Sequence, residues 1–506
     1  MVGLSKVEYK QLSPADFFYR NRELAGFDSA TKSLYTAFRE IIENSFDGAE
    51  IGGINPDIFI CIQEKQEDVY TIFISDNGVG IPSKKVPKAL AKLLFGGKYV
   101  ERQSRGHFGL GASMTVLYSQ ITTNTPTRVL SATVDSEFID EYHLNIDIQK
   151  NQPIVRYHKQ LPNKKKWHGV AVEVNIEGNY SRAHLRILDY LRSTALVAPY
   201  ADITFIDAYG ILYKFDKVID KVPQLGDPVL PHPKGIDTEK MLRLIKVAKQ
   251  ESMKSFLKKN FQRVGEVTAT RFLEFVKIDP DKSPKKLTHD EIVKLVRATK
   301  EFDDFLAPET KCLSPIGEEV LLAGVQKELK PEFATAVTRN PEAYGGHPFI
   351  VEVAMAYGGP KIEKSPDPTL YRFANRIPLL YDEYADVSAK VIRNFNWRLY
   401  KLPDTAQLAV ITHIASTKIP YRTAGKESIA DREELEREIH LAMGVCARKL
   451  RVYLSKIERE KRKARRISVF DKYMPFIAKF ATKLSGKKKV PPLDFVGSSS
   501  EKDEKK

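Results

Sequence analysis

Apolar and polar positions alternate over five short runs in the first half of the chain: residues 58–63, 69–75, 129–135, 142–148 and 170–176. A period of two reads as strands buried on one face. Ahead of them lies a stretch with helical spacing, in which Glu40, Asn44 and Asp47 stand at i, i+4 and i+7 on one face. Leu34, Phe38, Ile41 and Ser45 lie toward the other side. Helices grouped early among alternating strands predict an α/β sandwich with one sheet face covered, running to about residue 228. A proline-rich joint, Gly226-Asp-Pro-Val-Leu-Pro-His-Pro-Lys-Gly235, breaks that pattern. The text then turns helical over 241–248, 255–261, 268–276 and 290–301, with Gly265 at a turn. Strands return at 349–357, 371–377 and 407–416, followed by a long helix. Its apolar positions 435, 439, 442, 443, 446, 450, 453, 454 and 457 form a seam of period near 3.5, a pattern normally spent on core packing. Four segments result: 1–228, 229–306, 307–470 and a C-terminal extension, 471–506, largely disordered at its end.

Composition narrows the class. A chain of 506 residues has ample material for two or three cores. Lys and Arg number 80 against 65 Asp and Glu, and the net charge of +15 favours a polyanionic partner. Residues 456–466 carry seven of those basic side chains against two acids, which suits a polyanion- or partner-facing helix end. Lys164, Lys165 and Lys166, between two strands, read as a basic turn that either meets phosphate or faces water, the second slightly favoured. The cysteines, at 61, 312 and 446, form neither a C-x-x-C pair nor a metal spacing, so a reducing interior is expected. No apolar run reaches membrane-span length and the N-terminus lacks a signal core, so a soluble, intracellular protein without membrane contact is expected.

The chemistry concentrates in the first third. Asn44 offers a neutral, hard amide oxygen suited to Mg²⁺ already bound to phosphate. Glu40, one turn earlier, points into the same space and can take a proton from water. Asp76 follows the run 69–75 and can accept a hydrogen bond from an exocyclic amine, while Gly78 and Gly80 let a flat ring approach the backbone. Gly106-His107-Phe108-Gly109-Leu110-Gly111 opens a second helix, whose N–H groups and dipole suit phosphates. Each motif alone is weak. Their order within one short stretch points to a site that grips ATP and Mg²⁺.

These blocks resemble the GHKL (Bergerat-fold) ATPases, the group of gyrase B, MutL, the ninety-kilodalton heat-shock chaperone and sensor histidine kinases. Within it the chain is similar to the B subunits of the archaeal type IIB topoisomerases VI. The resemblance rests on Leu12-Ser-Pro-Ala-Asp-Phe-Phe18, Arg39-Glu-Ile-Ile-Glu-Asn-Ser45, Lys98-Tyr-Val-Glu-Arg-Gln-Ser-Arg-Gly106 and Gly109-Leu-Gly111. It extends to Gly346-His-Pro-Phe-Ile350 and Thr417-Lys-Ile-Pro-Tyr-Arg-Thr-Ala-Gly-Lys-Glu-Ser428.

The resemblance implies a GHKL ATPase domain with an N-terminal strap (1–228), a helix–two-turn–helix domain (229–306) and a transducer domain (307–470) with a long terminal helix. It implies Glu40 as general base, Asn44 as Mg²⁺ ligand and Asp76 as adenine reader beside Gly78 and Gly80. Gly97, Lys98 and the loop from Gly106 to Gly111, with Ala112 and Ser113, would close over the phosphates. Lys426 would reach the γ-phosphate from the transducer. The implied partners are a catalytic A subunit in an A₂B₂ heterotetramer, a second copy of this chain through residues 1–20, and double-stranded DNA. Three positions depart from the family pattern: Gly97 replaces a small hydroxyl residue, Ser113 stands where some relatives are basic, and Trp397-Arg398-Leu399-Tyr400 carries Arg in a Trp-Lys-x-Tyr element. The helical insert reads equally as a nucleic-acid contact or a spacer. A MutL-like or chaperone-like clamp is the alternative function. Asp279-Pro280-Asp281, the one D-x-D considered for a Toprim-like metal site, reads as a proline turn, so the chain is not expected to cut DNA.

Overall fold

The alternation over Val69–Ser75 sends Tyr70, Ile72 and Ile74 to one side, where all three are buried. Ile58, Ile60 and Ile62 do the same on the neighbouring strand, whose Phe59 is exposed on the opposite face. The structure, a computed structural model, describes residues 12–96, 100–106, 109–249, 251–422 and 426–486.

The first sheet has eight strands: β1 (Asp57–Gln66), β2 (Val69–Ser75), β3 (Thr127–Ala132), β4 (Phe138–Asp147), β5 (Gln152–Pro162), β6 (Gly169–Glu177), β7 (Asp202–Ile206) and β8 (Leu212–Phe215). Their order is β5-β4-β3-β6-β2-β1-β7-β8, antiparallel except for the β1–β7 pair. The first five helices are α1 (Pro14–Arg20), α2 (Ala30–Ile51), α3 (Val86–Ala91), α4 (Gly111–Thr123) and α5 (Tyr180–Val197). Of these, α2 and α4 pack directly on β6 and α5 packs on α2, which gives the expected α/β sandwich. Ser29 caps α2 by accepting from the Lys32 N–H, and Leu34, Phe38 and Ile42 sink into the core beneath it. Three strands escape the sequence pattern. Polar, exposed β5 lies at the sheet edge, β8 has four residues at the other edge, and β7 has only five.

A helical block follows: α6 (Thr238–Val247), α7 (Met253–Asn260), α8 (Glu266–Val276) and α9 (His289–Glu301), the last opened by a reciprocal Thr288–Glu291 capping box. It encloses its own core around Met241, Phe256, Phe272, Leu295 and Phe302. Asp279-Pro280-Asp281 is a turn, as expected, with the Asp281 N–H donating to Asp279 Oδ1 (3.0 Å).

Helix α10 (Glu318–Leu329) leads into a second sheet of β9 (Phe333–Thr338), β10 (Glu342–Tyr344), β11 (His347–Tyr357), β12 (Thr369–Ala374), β13 (Ile377–Pro378) and β14 (Leu408–Ser416). Helices α11 (Val387–Asn394) and α12 (Glu433–Ser485) complete it. Strands β11 and β14 pair centrally and are buried along nearly their whole lengths, as their Val-, Ile- and Ala-rich text requires. The run 371–377, expected as one strand, is cut by a tight turn at Asn375 and Arg376, which take φ of 48° and 68°. One apolar cluster joins the two sheets, running from Phe38, Ile60 and Leu191 through Val320 and Leu321 to Ala354 and Ile411. At its seam Gly324 of α10 lies so close to α5 that a Cβ there would stand 1.8 Å from the Leu196 oxygen.

Everything described up to Phe395, with Thr405–Cys446, forms one compact unit. Within it Leu435, Ile439, Ala442, Met443 and Cys446 of α12 are buried, as the seam predicts. Asn396–Asp404 and α12 from Ala447 onward form a second unit. There Trp397–Tyr400 make a short 3₁₀ turn, and Lys401 pairs with Glu458 (3.3 Å). Helix α12 continues through Ser485 and exposes Phe470, Tyr473, Ile477, Phe480 and Leu484.

Candidate active site

A cavity of about 590 Å³ opens between α2, the end of β2 and the start of α4, within the usual range for a small-molecule site. Glu40, Asn44 and Asp47 present their shared helical face to it, as their spacing predicts. Glu40 Oε1 accepts from Arg39 (2.7 Å), while Oε2 lies against Gly111, where a Cβ would stand only 1.8 Å away. Glycine at 111 is therefore what lets the acid and the helix start approach each other. The Asn44 amide donates to the Glu40 carbonyl (2.8 Å) one turn back, which fixes its side chain on the cavity wall.

Across the cavity Asp76 is buried, and its Oδ1 accepts from the Gly78 and Val170 N–H groups (2.9 and 3.1 Å). Burial pushes its carboxyl above the ordinary range, against the pull of these amides and the Ser45 hydroxyl. The two glycines that follow are held by close backbone contacts. A Cβ on Gly80, at φ +68°, would stand 2.0 Å from the Ala132 oxygen, and one on Gly78 would stand 2.7 Å from the Gly48 carbonyl carbon of α2. Gly80 is on the cavity wall, whereas Gly78 packs behind it against α2.

Gly106, Gly109, Leu110, Gly111, Ala112 and Ser113 all line the cavity, with the first turn of α4 facing it. Gly109 takes φ +58°, and its carbonyl accepts from the Leu94 N–H (3.1 Å). The Ser113 hydroxyl is committed to the Leu110 carbonyl (3.1 Å). Gly97, Lys98, His107 and Phe108 lie outside the described residues.

Lys426 arrives from the far end of the sequence. It is 8% exposed and lines the cavity, and its Nζ donates to the Arg105 carbonyl (3.1 Å) and lies 3.6 Å from Glu43 Oε2. Next to it Glu427 pairs with Lys32 of α2 (2.8 Å). Sequence spacing does not single out Glu43. Burial pushes its carboxyl up, Lys426 and Arg39 oppose that, and Glu40 adds to it. An acid three residues after Glu40 on the same helix is the only signal the sequence offers for it.

Within the second sheet, Glu352 of β11 and His413 of β14 stand opposite each other as a second buried pair. Glu352 of β11 accepts four hydrogen bonds: Ile316 N–H (2.8 Å), Gly317 N–H (2.7 Å), the Thr338 hydroxyl (2.8 Å) and His413 Nδ1 (2.7 Å). His413 Nε2 accepts from the Arg376 N–H (3.0 Å), so the imidazole is neutral with its proton on Nδ1. Burial drives His413 below its usual range, beyond what Glu352 restores. Burial alone would raise Glu352, but His413 and the two amides hold it below its usual range. An unfolded chain takes up a proton at His413 as the pH falls through about 6.5, and the folded chain does so only at lower pH. The unfolded state then binds more protons, so stability falls on acidification, and Glu352 adds a loss of the same sign at lower pH. From pH 7 to pH 5 we expect His413 to contribute up to about 2 kcal/mol of that loss, read from urea midpoints, with a shallower slope in a His413→Gln variant.

A helix bearing an acid and an amide, a strand-end aspartate and a glycine-opened helix around one cavity define an ATPase of the GHKL class. The family model described as "Histidine kinase-, DNA gyrase B-, and HSP90-like ATPase" matches residues 32–166. A second, "Topoisomerase VI B subunit, transducer", matches residues 308–466. The chain is 45% identical to the B subunit of type 2 DNA topoisomerase 6 from Pyrobaculum aerophilum, over 93% of its own length and 89% of the relative's. It is 41% identical to that of Sulfurisphaera tokodaii, over 94% and 90%, and 40% identical to that of Metallosphaera sedula, over 96% and 93%. The chain belongs to the family of type 2 DNA topoisomerase 6 B subunits.

Proposed function

We propose that this chain is the ATP-binding and ATP-hydrolysing subunit of a type IIB DNA topoisomerase, and that the cavity beside α2 is its ATP site. The observation that carries this reading is Lys426: a residue of the transducer region stands on the wall of a cavity otherwise built from the first sheet and its helices. In this reading Asp76 receives the exocyclic amine of adenine, and the amides at the start of α4 face the phosphates. Asn44 would hold Mg²⁺. Among the described residues no group of three or more His, Cys, Asp or Glu could hold a metal ion, so one amide oxygen completed by phosphate oxygens and water suits the residues present. When bound, the ion neutralises phosphate charge. Glu40, oriented by Arg39, takes a proton from the attacking water. Lys426 answers the charge of the terminal phosphate, and its loss on hydrolysis leaves the lysine to the Arg105 carbonyl and Glu43.

The domain limits proposed are 1–228 for the ATPase domain, 229–306 for the helical insert, 307–470 for the transducer and 471–506 for the extension. The ATP-bound form pairs with a second copy through residues 1–20 and closes on a DNA duplex. Strand cleavage resides in a separate A subunit, in an A₂B₂ assembly, and the complex works in the cytoplasm on the nucleoid. No helix among the described residues is long and apolar enough to cross a membrane. In a supercoil-relaxation assay we expect the chain alone to hydrolyse Mg-ATP without relaxing DNA, and relaxation to begin on adding a topoisomerase VI A subunit. Relaxation by the chain alone would overturn this division of labour.

A further inference from the structure

Lys426 is not the only residue of the transducer region that grips the segment leading into Gly106. The Asn375–Arg376 turn between β12 and β13 reaches the same place. Asn375 Nδ2 donates to the Ser104 carbonyl (2.9 Å) and to the Ser416 carbonyl (3.0 Å), and its Oδ1 accepts from the Ser416 N–H (2.9 Å). Arg376 donates through Nη1 to Glu50 Oε2 (2.7 Å) and through Nη2 to the Ser314 carbonyl (2.7 Å). Glu50, on the last turn of α2, also receives both ends of the Arg105 guanidinium (2.7 Å each) and the Tyr200 hydroxyl (2.6 Å). Arg105 further donates to Asp47 (2.8 Å), which lines the cavity, and gives its carbonyl to Lys426.

The charges in this cluster are sealed from water: Glu50 is 4% exposed, Arg105 6% and Arg376 5%. Buried carboxylate–guanidinium forks are directional and cannot slide without leaving a charge unpaired. Ser104 and Arg105 are therefore held from the transducer region twice, by Lys426 and by the turn. Gly106 follows immediately on the cavity wall. We propose that the Asn375–Arg376 turn is a second positioning element of the ATPase site, which holds Arg105 through Glu50 and the backbone through Ser104. It thereby sets where Lys426 and Gly106 stand relative to the cavity. This rests on the reading of the cavity and Lys426 given above.

The test uses the full chain with Mg-ATP. Arg376→Lys keeps the charge but lacks the fork that serves Glu50 and Ser314 together. Asn375→Gly keeps the left-handed backbone and removes the bond to Ser104. We expect kcat to fall about tenfold in the first and about threefold in the second, with KM and ADP affinity within about twofold of wild type. The Arg376→Lys/Lys426→Ala double variant should be slower than Lys426→Ala alone by clearly less than Arg376→Lys slows the wild type, because part of what the turn holds is the seat of Lys426 on Arg105. Unchanged kcat, a parallel loss of ADP affinity, or losses that multiply in the double variant would each overturn the proposal. Should Arg376→Lys fail to fold, Asn375→Gly decides alone. A wild-type rate for Lys426→Ala by itself would sink the underlying reading of that lysine, and this proposal with it. A slowed Lys426→Ala beside unaffected turn variants would sink this proposal only.

Discussion

Glu40→Ala should lower ATP turnover by about 10²- to 10⁴-fold, the usual contribution of a positioned general base. Nucleotide should still bind, because the groups read here as adenine and phosphate contacts lie elsewhere: Asp76 beyond β2, and the amides at the start of α4. The substitution leaves Arg39 paired, since its Nε also lies 3.3 Å from Glu43. It opens space beside Gly111 rather than filling it, so the fold has no reason to suffer. Single-turnover hydrolysis measured beside ADP binding separates the two effects. Retention of more than about a tenth of the wild-type rate would remove Glu40 from the reaction.

Glu352→Ala should be the most damaging substitution for stability, at about 3–5 kcal/mol by chemical unfolding. All four of its hydrogen-bond donors lose their acceptor at once. Two of them, the Ile316 and Gly317 N–H groups, hold the entry to α10, which packs against α5. Glu352→Gln should cost less, about 1–3 kcal/mol. Its amide keeps one accepting oxygen but turns an NH₂ toward further donors. A Glu352→Ala protein within about 1 kcal/mol of wild type would mean that water replaces the carboxylate, against its complete burial.

How much of this is legible in the sequence depends on distance along the chain. Glu40, Asn44 and Asp47 can be placed because one helix turns them to one side, and Asp76 because a strand visibly stops before it. The strands β5, β7 and β8 are not legible: an exposed edge carries no alternation, and four or five residues are too few to show one. The left-handed turn that splits 371–377 falls on Asn375 and Arg376, where the one local sign is Asn375, a residue that tolerates this backbone, and no glycine reinforces it. Gly78 and Gly80 read from their motif as positions that need no side chain, yet the backbones that crowd them belong to α2 and to the end of β3. Gly169 gives no such sign, because its crowding, 2.1 Å from a would-be Cβ to the Asp76 oxygen, comes from a residue far upstream. The Glu50–Arg105–Arg376 cluster is invisible for the same reason. Its members come from three distant parts of the chain, and no spacing rule joins them.

The chain enters and leaves the helical block side by side, where the Asp227 N–H donates to the Lys311 carbonyl (2.9 Å). The block has its own interior, is tied to its flanks also by Lys240–Glu101 and by Gly235 against Gly346, and lends no residue to the apolar cluster that the two sheets share. The two sheets are not separate in this way. Their common apolar cluster means that removing either sheet from this chain would leave core residues of the other, Val320 and Leu321 or Phe38 and Leu191, facing water.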